Sequence, residues 1–211
     1  MQSKKWDKIV KDLEKASKEK DDALRGVKIA SVISDALKEI DEKPILVGGA
    51  AVAFYTDGRY TTKDIDLIAV GGKELEKIMN QLGFVKYGKD FINNKLKIYI
   101  EFSSEILGAT EKFAEISVDG RNLNIISIDD LIVDRLCAFK FWKSEIDGLN
   151  AMILIELGCN NIERTERRAR EDDVLDVLDH VNRVKEKVVR EQIDSKRATQ
   201  LLTSFIYSKK K

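Results

Sequence analysis

Apolar residues recur at helical spacing through the first forty positions, at Trp6, Ile9, Val10 and Leu13 and again at Leu24, Val27, Ile29, Ile33, Leu37 and Ile40. The pattern predicts two helices with a break near "KEKDDALRG". Pro44 ends it, and "PILVGG" is a short apolar run closed by glycines, as in a buried strand. Residues 50 to 57 fit a helix of about two turns, and "DIDLIAV" fits a second strand. "KELEKIMNQLGF" places Leu75, Ile78, Met79 and Leu82 on one face and stops at Gly83, which predicts a helix with a C-terminal signal. "FINNKLKIYIEF" predicts a hairpin around Asn93 and Asn94, and "EKFAEISVDGRNLNIISI" a second around Asp119 and Gly120. Ser127 followed by Asp130 approximates a capping box that opens a helix through "DDLIVDRLCAFKFWKS". From there to Lys211 nearly everything is helical in period, including "DGLNAMILIELG", "IERTERRAREDDVLDVLDHV" and "DSKRATQLLTSFIYS", with a disordered "SKKK" tail expected at the end.

These elements predict an α+β chain: N-terminal helices over residues 1–43, a core with a mixed β-sheet over 44–127, and a C-terminal helical region over 128–211. A chain of 211 residues that is 43% hydrophobic can bury a real core. The 37 Lys and Arg balance the 37 Asp and Glu, so the molecule is not a polycation that coats nucleic acid, and any such contact is local. Cys137 and Cys159 sit in helix-like apolar patterns without zinc-ligand spacing and are expected as buried free thiols. No segment has the apolar length of a membrane span, and the N-terminus is charged throughout rather than signal-like. A cytoplasmic protein without a membrane partner is expected.

The candidate chemistry starts at "DID". On a strand, Asp64 and Asp66 point to the same side, roughly 7 Å apart along the backbone. Like charges so placed repel unless something positive lies between them. Two carboxylates can converge on magnesium, which also accepts phosphate oxygens and water, and paired ions of this kind activate an attacking oxygen and stabilise a leaving pyrophosphate. The alternative is a pair of acids facing water. Gly48 and Gly49 end a strand and open a helix, leaving unhindered amides where a triphosphate can approach, although tight turns want glycine for steric reasons too. Arg59, Thr61, Thr62 and Lys63 come immediately before the acids and are phosphate-compatible donors, or else a solvated loop. A third carboxylate is offered by Glu101, which shares a strand face with Lys97 and Tyr99 opposite the apolar Ile98, Ile100 and Phe102. An edge-strand charge that discourages aggregation is the other reading of Glu101.

The order "LVGG", "GRYTTKDIDL", a strand carrying an acid, then "ISIDDLIVDRLCAFKFW" resembles the nucleotidyltransferase superfamily with its polymerase-beta-type palm, in the branch of minimal nucleotidyltransferases and abortive-infection toxins. The family motif falls on Val47, Gly48, Gly49, Asp64, Ile65 and Asp66, and the resemblance covers roughly residues 44 to 150. It implies metal-dependent transfer of a nucleoside monophosphate from a nucleoside triphosphate such as ATP, with Mg2+ or Mn2+ on Asp64, Asp66 and Glu101 as metal ligands and catalytic residues. Gly48 and Gly49 become the phosphate-binding turn, with Arg59, Thr62 and Lys63 beside it. Arg135, Lys140 and Lys143 match loosely as phosphate contacts, and Arg135 fits a surface position equally well. Glu101 stands where the family usually has Asp. The implied acceptor is RNA or tRNA, a protein or a small molecule, and the implied partner of a toxin is an antitoxin protein. The competing reading is a catalytically degenerate nucleotide-binding or partner-binding module on the same fold.

His180 is the only histidine, which excludes two-histidine metal sites, and it reads as a helix-surface residue rather than a general base. "ERTERRAREDD" reads as a solvated helix held by i,i+4 pairs, or as an RNA-facing ridge through Arg164, Arg167, Arg168 and Arg170. "GGAAVAF" lacks the glycine spacing of a dinucleotide-binding turn.

Overall fold

The computed structural model describes residues 2–103 and 106–208, and the chain divides into two compact units, residues 1–126 and 127–211. The first begins with α1 (Gln2–Ala16) and α2 (Asp22–Leu37). Asp21 caps α2 by accepting from the Leu24 N–H at 3.0 Å, which satisfies one of the amides a helix start leaves open. Helix α2 buries Val27, Ile29, Ala30, Ile33 and Leu37, and packs on α3, β2 and β7.

After α2 come β1 (Ile45–Val47), α3 (Gly48–Tyr55), β2 (Asp64–Ile68), α4 (Gly72–Gln81), β3 (Val85–Tyr87), β4 (Asp90–Asn93), β5 (Ile98–Ser103), β6 (Phe113–Val118) and β7 (Arg121–Ile126). The strands form one mixed sheet in the order β3-β4-β5-β2-β1-β7-β6. The β1–β7 and β2–β5 pairs are parallel and the other neighbours antiparallel. Alternation puts Leu46, Ile65, Leu67, Phe91, Ile98 and Ile100 on one buried face. Asn93 stands on that face and is satisfied locally, donating to the Leu82 carbonyl at 3.1 Å and accepting from the Leu96 N–H at 3.0 Å.

The second unit is helical: α5 (Ile128–Phe141), α6 (Glu145–Glu156), α7 (Ile162–Glu171), α8 (Leu175–Glu191) and α9 (Ser195–Ser208). Ser127 caps α5, accepting from the Asp130 N–H at 3.3 Å and donating to Asp130 Oδ2 at 2.6 Å. None of the described helices is long and apolar enough to cross a membrane.

Four expectations change. The helix after the diglycine starts at Gly48 itself and ends at Tyr55. An additional strand, β3, pairs with β4 ahead of the expected hairpin; its three residues are all exposed, so no apolar alternation marks it. The run from Ile162 to Val181 is broken between α7 and α8, where Asp173 takes φ 55°. Cys137 is half-buried and Cys159 is exposed in the loop after α6, so the thiols are not the buried pair expected. Burial pushes the Cys137 thiol up to about 11, with the Asp172 and Asp134 charges adding to it. Residues 209–211 of the "SKKK" tail lie outside the described residues.

Candidate active site

Val47 ends β1 in extended backbone, and Gly48 then takes φ +62° to enter α3, a left-handed conformation that glycine adopts without steric cost. The antiparallel register sets Val47 opposite Asp66, so the bend falls beside that carboxylate. A Cβ on Gly48 would come within 2.8 Å of Asp66 Cγ. Only a residue without a side chain lets the main chain approach Asp66 so closely. At Gly49 a Cβ would meet Thr62 Cγ2 at 3.0 Å and the Tyr60 ring at 3.3 Å. The loop from Arg59 to Lys63 thus closes back over the diglycine turn. Thr62 fixes its end by accepting from the Asp64 N–H at 3.3 Å, while Arg59 and Lys63 are exposed.

Asp64 and Asp66 occupy alternate positions of β2, with the buried Ile65 and Leu67 on the other face. Asp64 is exposed and Asp66 half-buried. The parallel neighbour β5 pairs Asp64 with Tyr99 and Asp66 with Glu101, and β4 pairs Asp90 with Glu101. Residues directly opposite one another share a face, so Asp66, Glu101 and Asp90 form a row across three strands. Glu101 is not gathered with the aspartates into a metal-binding trio: among the described residues no group of three or more His, Cys, Asp or Glu is arranged to hold a metal ion. Its carboxylate instead accepts from Lys89 Nζ at 2.6 Å. That hydrogen bond and the Glu101 charge, with Asp90 and Asp66 adding to them, raise the Lys89 pKa above the ordinary lysine value. Lys89 and Asp90 were not singled out in the sequence; the Gly88 turn with φ +63° joining β3 to β4 is the local signal for them.

The donor set fits a divalent cation that arrives with a triphosphate. Two carboxylates on one strand face supply part of an oxygen shell, and magnesium takes the rest from phosphate and water.

Arg135 and Lys140 lie on α5 in the second unit, and both are held by carboxylates there. Arg135 donates to Asp147 Oδ1 at 2.6 Å and pairs with Asp134. Lys140 donates to Asp176 Oδ1 at 3.0 Å and to Asp173. Burial works against both charges, but these acids outweigh it and raise both pKa values. Lys143 donates to the Ile206 carbonyl at 3.1 Å.

Helix α7 is neither a wholly solvated helix nor an arginine ridge facing outward. Arg167 and Arg170 are exposed, but Arg164 and Arg168 turn inward onto α5. Arg168 Nε donates to Asp130 Oδ1 at 2.9 Å, and Arg164 also pairs with Asp130, whose side chain is wholly enclosed. Asp129 accepts from the Asn161 N–H at 2.7 Å and from the Thr165 hydroxyl at 3.0 Å. Burial opposes the Arg168 charge, yet Glu171, Asp130 and Asp172 together raise its pKa. His180 also departs from the surface position expected. Its Nε2 lies 3.1 Å and 3.2 Å from the carbonyls of Leu201 and Leu202, and its ring stacks on Phe205 at 4.7 Å, tying α8 to α9.

A glycine bend pressed against a strand aspartate, a second aspartate two residues away and a mixed sheet define a nucleotidyltransferase-type palm. The chain belongs to the family described as "Nucleotidyltransferase of unknown function (DUF6036)", which matches residues 27–197. No curated protein matches the chain. Among solved structures, the solution structure of the antibiotic-resistance factor ANT(2'')-Ia is similar at TM-score 0.51 and 18% identity, over 77% of this chain and 98% of that one. A crystal structure of an antigenic nucleotidyltransferase-like protein from Paracoccidioides brasiliensis is similar at TM-score 0.50 and 15% identity, over 65% of this chain and 77% of that one.

Proposed function

We propose that the protein transfers a nucleoside monophosphate from a nucleoside triphosphate, ATP foremost, to an acceptor hydroxyl, with Mg2+ or Mn2+ bound by Asp64 and Asp66. The observation that supports this reading is the close approach of the Gly48 main chain to Asp66, where an added Cβ would come within 2.8 Å of Cγ, so that the amides at the start of α3 lie near an acid of β2. When bound, the metal supplies charge neutralisation at the triphosphate and polarises the reacting oxygens. Gly48 and Gly49 present amides at the start of α3 to the phosphates, and Thr62, Arg59 and Lys63 surround that turn as further donors. Asp64 and Asp66 are the residues that would hold the cation. Glu101, one strand away from Asp66, orients the acceptor and takes its proton once released from Lys89. Positioning and electrostatics carry the rate, since the protein forms no bond to the substrate.

Incubation with α-labelled nucleoside triphosphates and either cation, against total RNA, protein and small-molecule extracts, tests the proposal. Labelled product and pyrophosphate are expected with the wild type and neither with Asp64→Asn or Asp66→Asn. The ion pair that occupies Glu101 favours a second reading, a nucleotide-binding module without catalysis. That module would bind nucleotide and release no pyrophosphate with any acceptor. A toxin role is read separately, by growth arrest on expression of the wild type but not of Asp66→Asn.

A further inference from the structure

The sheet ends on one side at β6, the last strand in its order. This strand runs over Phe113–Val118, where Phe113, Ala114, Glu115 and Ser117 are exposed and Ile116 and Val118 half-buried. The opposite edge, β3, is a strand of three residues with Lys86 at its centre, a length and a charge that discourage pairing. No such protection is built into β6. It has no proline and one charge, Glu115, whose carboxylate is drawn back over β7 by the Asn122 side-chain amide at 2.9 Å.

Its main chain is also aimed outward. Asp119 and Gly120 join β6 to β7 in a tight turn with φ 49° and 77°, and a turn of this kind closes on a pair that exchanges both hydrogen bonds. That pair is Val118 with Arg121, so by alternation Ala114, Ile116 and Val118 direct their N–H and C=O groups at β7. Those of Phe113, Glu115 and Ser117 point away from the sheet, where no strand among the described residues receives them.

We infer that β6 pairs antiparallel with β6 of a second copy of this chain, about a two-fold axis at Ile116. The order of side chains carries both the occupant and the register. A two-fold axis perpendicular to the sheet leaves each side chain on its own face, so only residues an even number of positions apart stand opposite one another. Centring on Glu115 sets its two copies face to face, and centring on Ser117 sets Glu115 opposite Asp119; both place like charges together. Centring on Ala114 sets Lys112 opposite Ile116. With Ile116 on the axis it meets its own copy, Ala114 meets Val118, and Glu115 and Ser117 exchange hydrogen bonds through their outward main-chain groups. The apolar pairs then fall on the buried side of the sheet. Within the chain Ile116 stands opposite Leu123 and Ala114 opposite Ile125, and Ile125 is paired in turn with the fully buried Leu46, so the pairing continues the core face from one copy into the next. The inference is independent of the nucleotidyl-transfer reading.

Sedimentation equilibrium of the full chain across the micromolar range is the first test. A reversible dimer is expected for the wild type. Ile116→Asp, which sets two carboxylates opposite each other at the axis, is expected to raise its dissociation constant at least about tenfold with the circular dichroism spectrum unchanged. Cross-linking reads the register, in a chain whose Cys137 and Cys159 are replaced by Ser. Ile116→Cys is expected to form an interchain disulfide under mild oxidation, because partners of this kind have Cα atoms about 4.5 Å apart. Ser117→Cys is not, because its two copies are offset by roughly 7 Å along the strands. A wild type that stays monomeric throughout, a dimer that folded Ile116→Asp leaves unchanged, or cross-linking of Ser117→Cys in preference to Ile116→Cys overturns the inference. The cross-link comparison stands whether or not Ile116→Asp folds.

Discussion

The main chain at Gly48 lies against the carboxylate of Asp66: a Cβ built at Gly48 would approach Asp66 Cγ to 2.8 Å, at a φ of +62° that side chains rarely adopt. Gly48→Ala therefore meets two penalties at once, backbone strain and displacement of the carboxylate. We expect loss of about 1–3 kcal/mol of stability in urea unfolding and loss of nucleotide transfer beyond what that destabilisation explains. An alanine variant with undiminished activity under conditions where it stays folded would separate the bend from the chemistry.

A second expectation concerns the helical unit. Asp130 is enclosed between Arg164 and Arg168, and its removal deprives both inward-turned guanidiniums of their fully enclosed carboxylate, leaving Arg164 on Asp129 and Arg168 on Glu171 and Asp172. Asp130→Ala is expected to cost about 3–5 kcal/mol, read as a lower urea midpoint. An exposed arginine such as Arg167 gives a control within about 0.5 kcal/mol on substitution by Ala.

The sheet and its two hairpins were legible because alternation and turn residues such as Asp119 and Gly120 are local signals. The closeness of Gly48 and Asp66 was foreshadowed by motif spacing. The place of Glu101 beside Asp66 was legible only through the family resemblance, since its strand face is local but the parallel pairing of β2 and β5 is encoded by no nearby residue. Lys89 and Asp90 escaped for a further reason: β3 is exposed along its whole length, so the edge that frames them carries no apolar pattern. The pairing of Asp130 with Arg168 spans 38 positions. An arginine-rich helix looks solvated until the acids that turn two of its members inward are brought to it by folding.

His180 gives a pH-dependent expectation. Burial lowers its pKa from the usual 6.5, and the nearby Arg183 charge adds to that, against the opposing carbonyls of Leu201 and Leu202. A histidine whose folded pKa is depressed is neutral in the native state while the unfolded chain takes up a proton first. The contribution is then full above pH 6.5 and is lost as pH falls from there through the lower folded value. Melting temperatures between about pH 7 and pH 5 should fall more steeply for the wild type than for His180→Asn, after subtraction of the variant's constant offset. Parallel curves would remove His180 as the group responsible.

The most direct measurement is the binding of Mn2+ together with a non-hydrolysable ATP analogue, followed by electron paramagnetic resonance or calorimetry in the wild type, Asp64→Asn and Asp66→Asn. The account predicts that the wild type binds the cation and the nucleotide cooperatively, that both variants keep the wild-type circular dichroism spectrum, and that each loses the metal-dependent part of the affinity. Unchanged metal and nucleotide binding in both folded variants would contradict it.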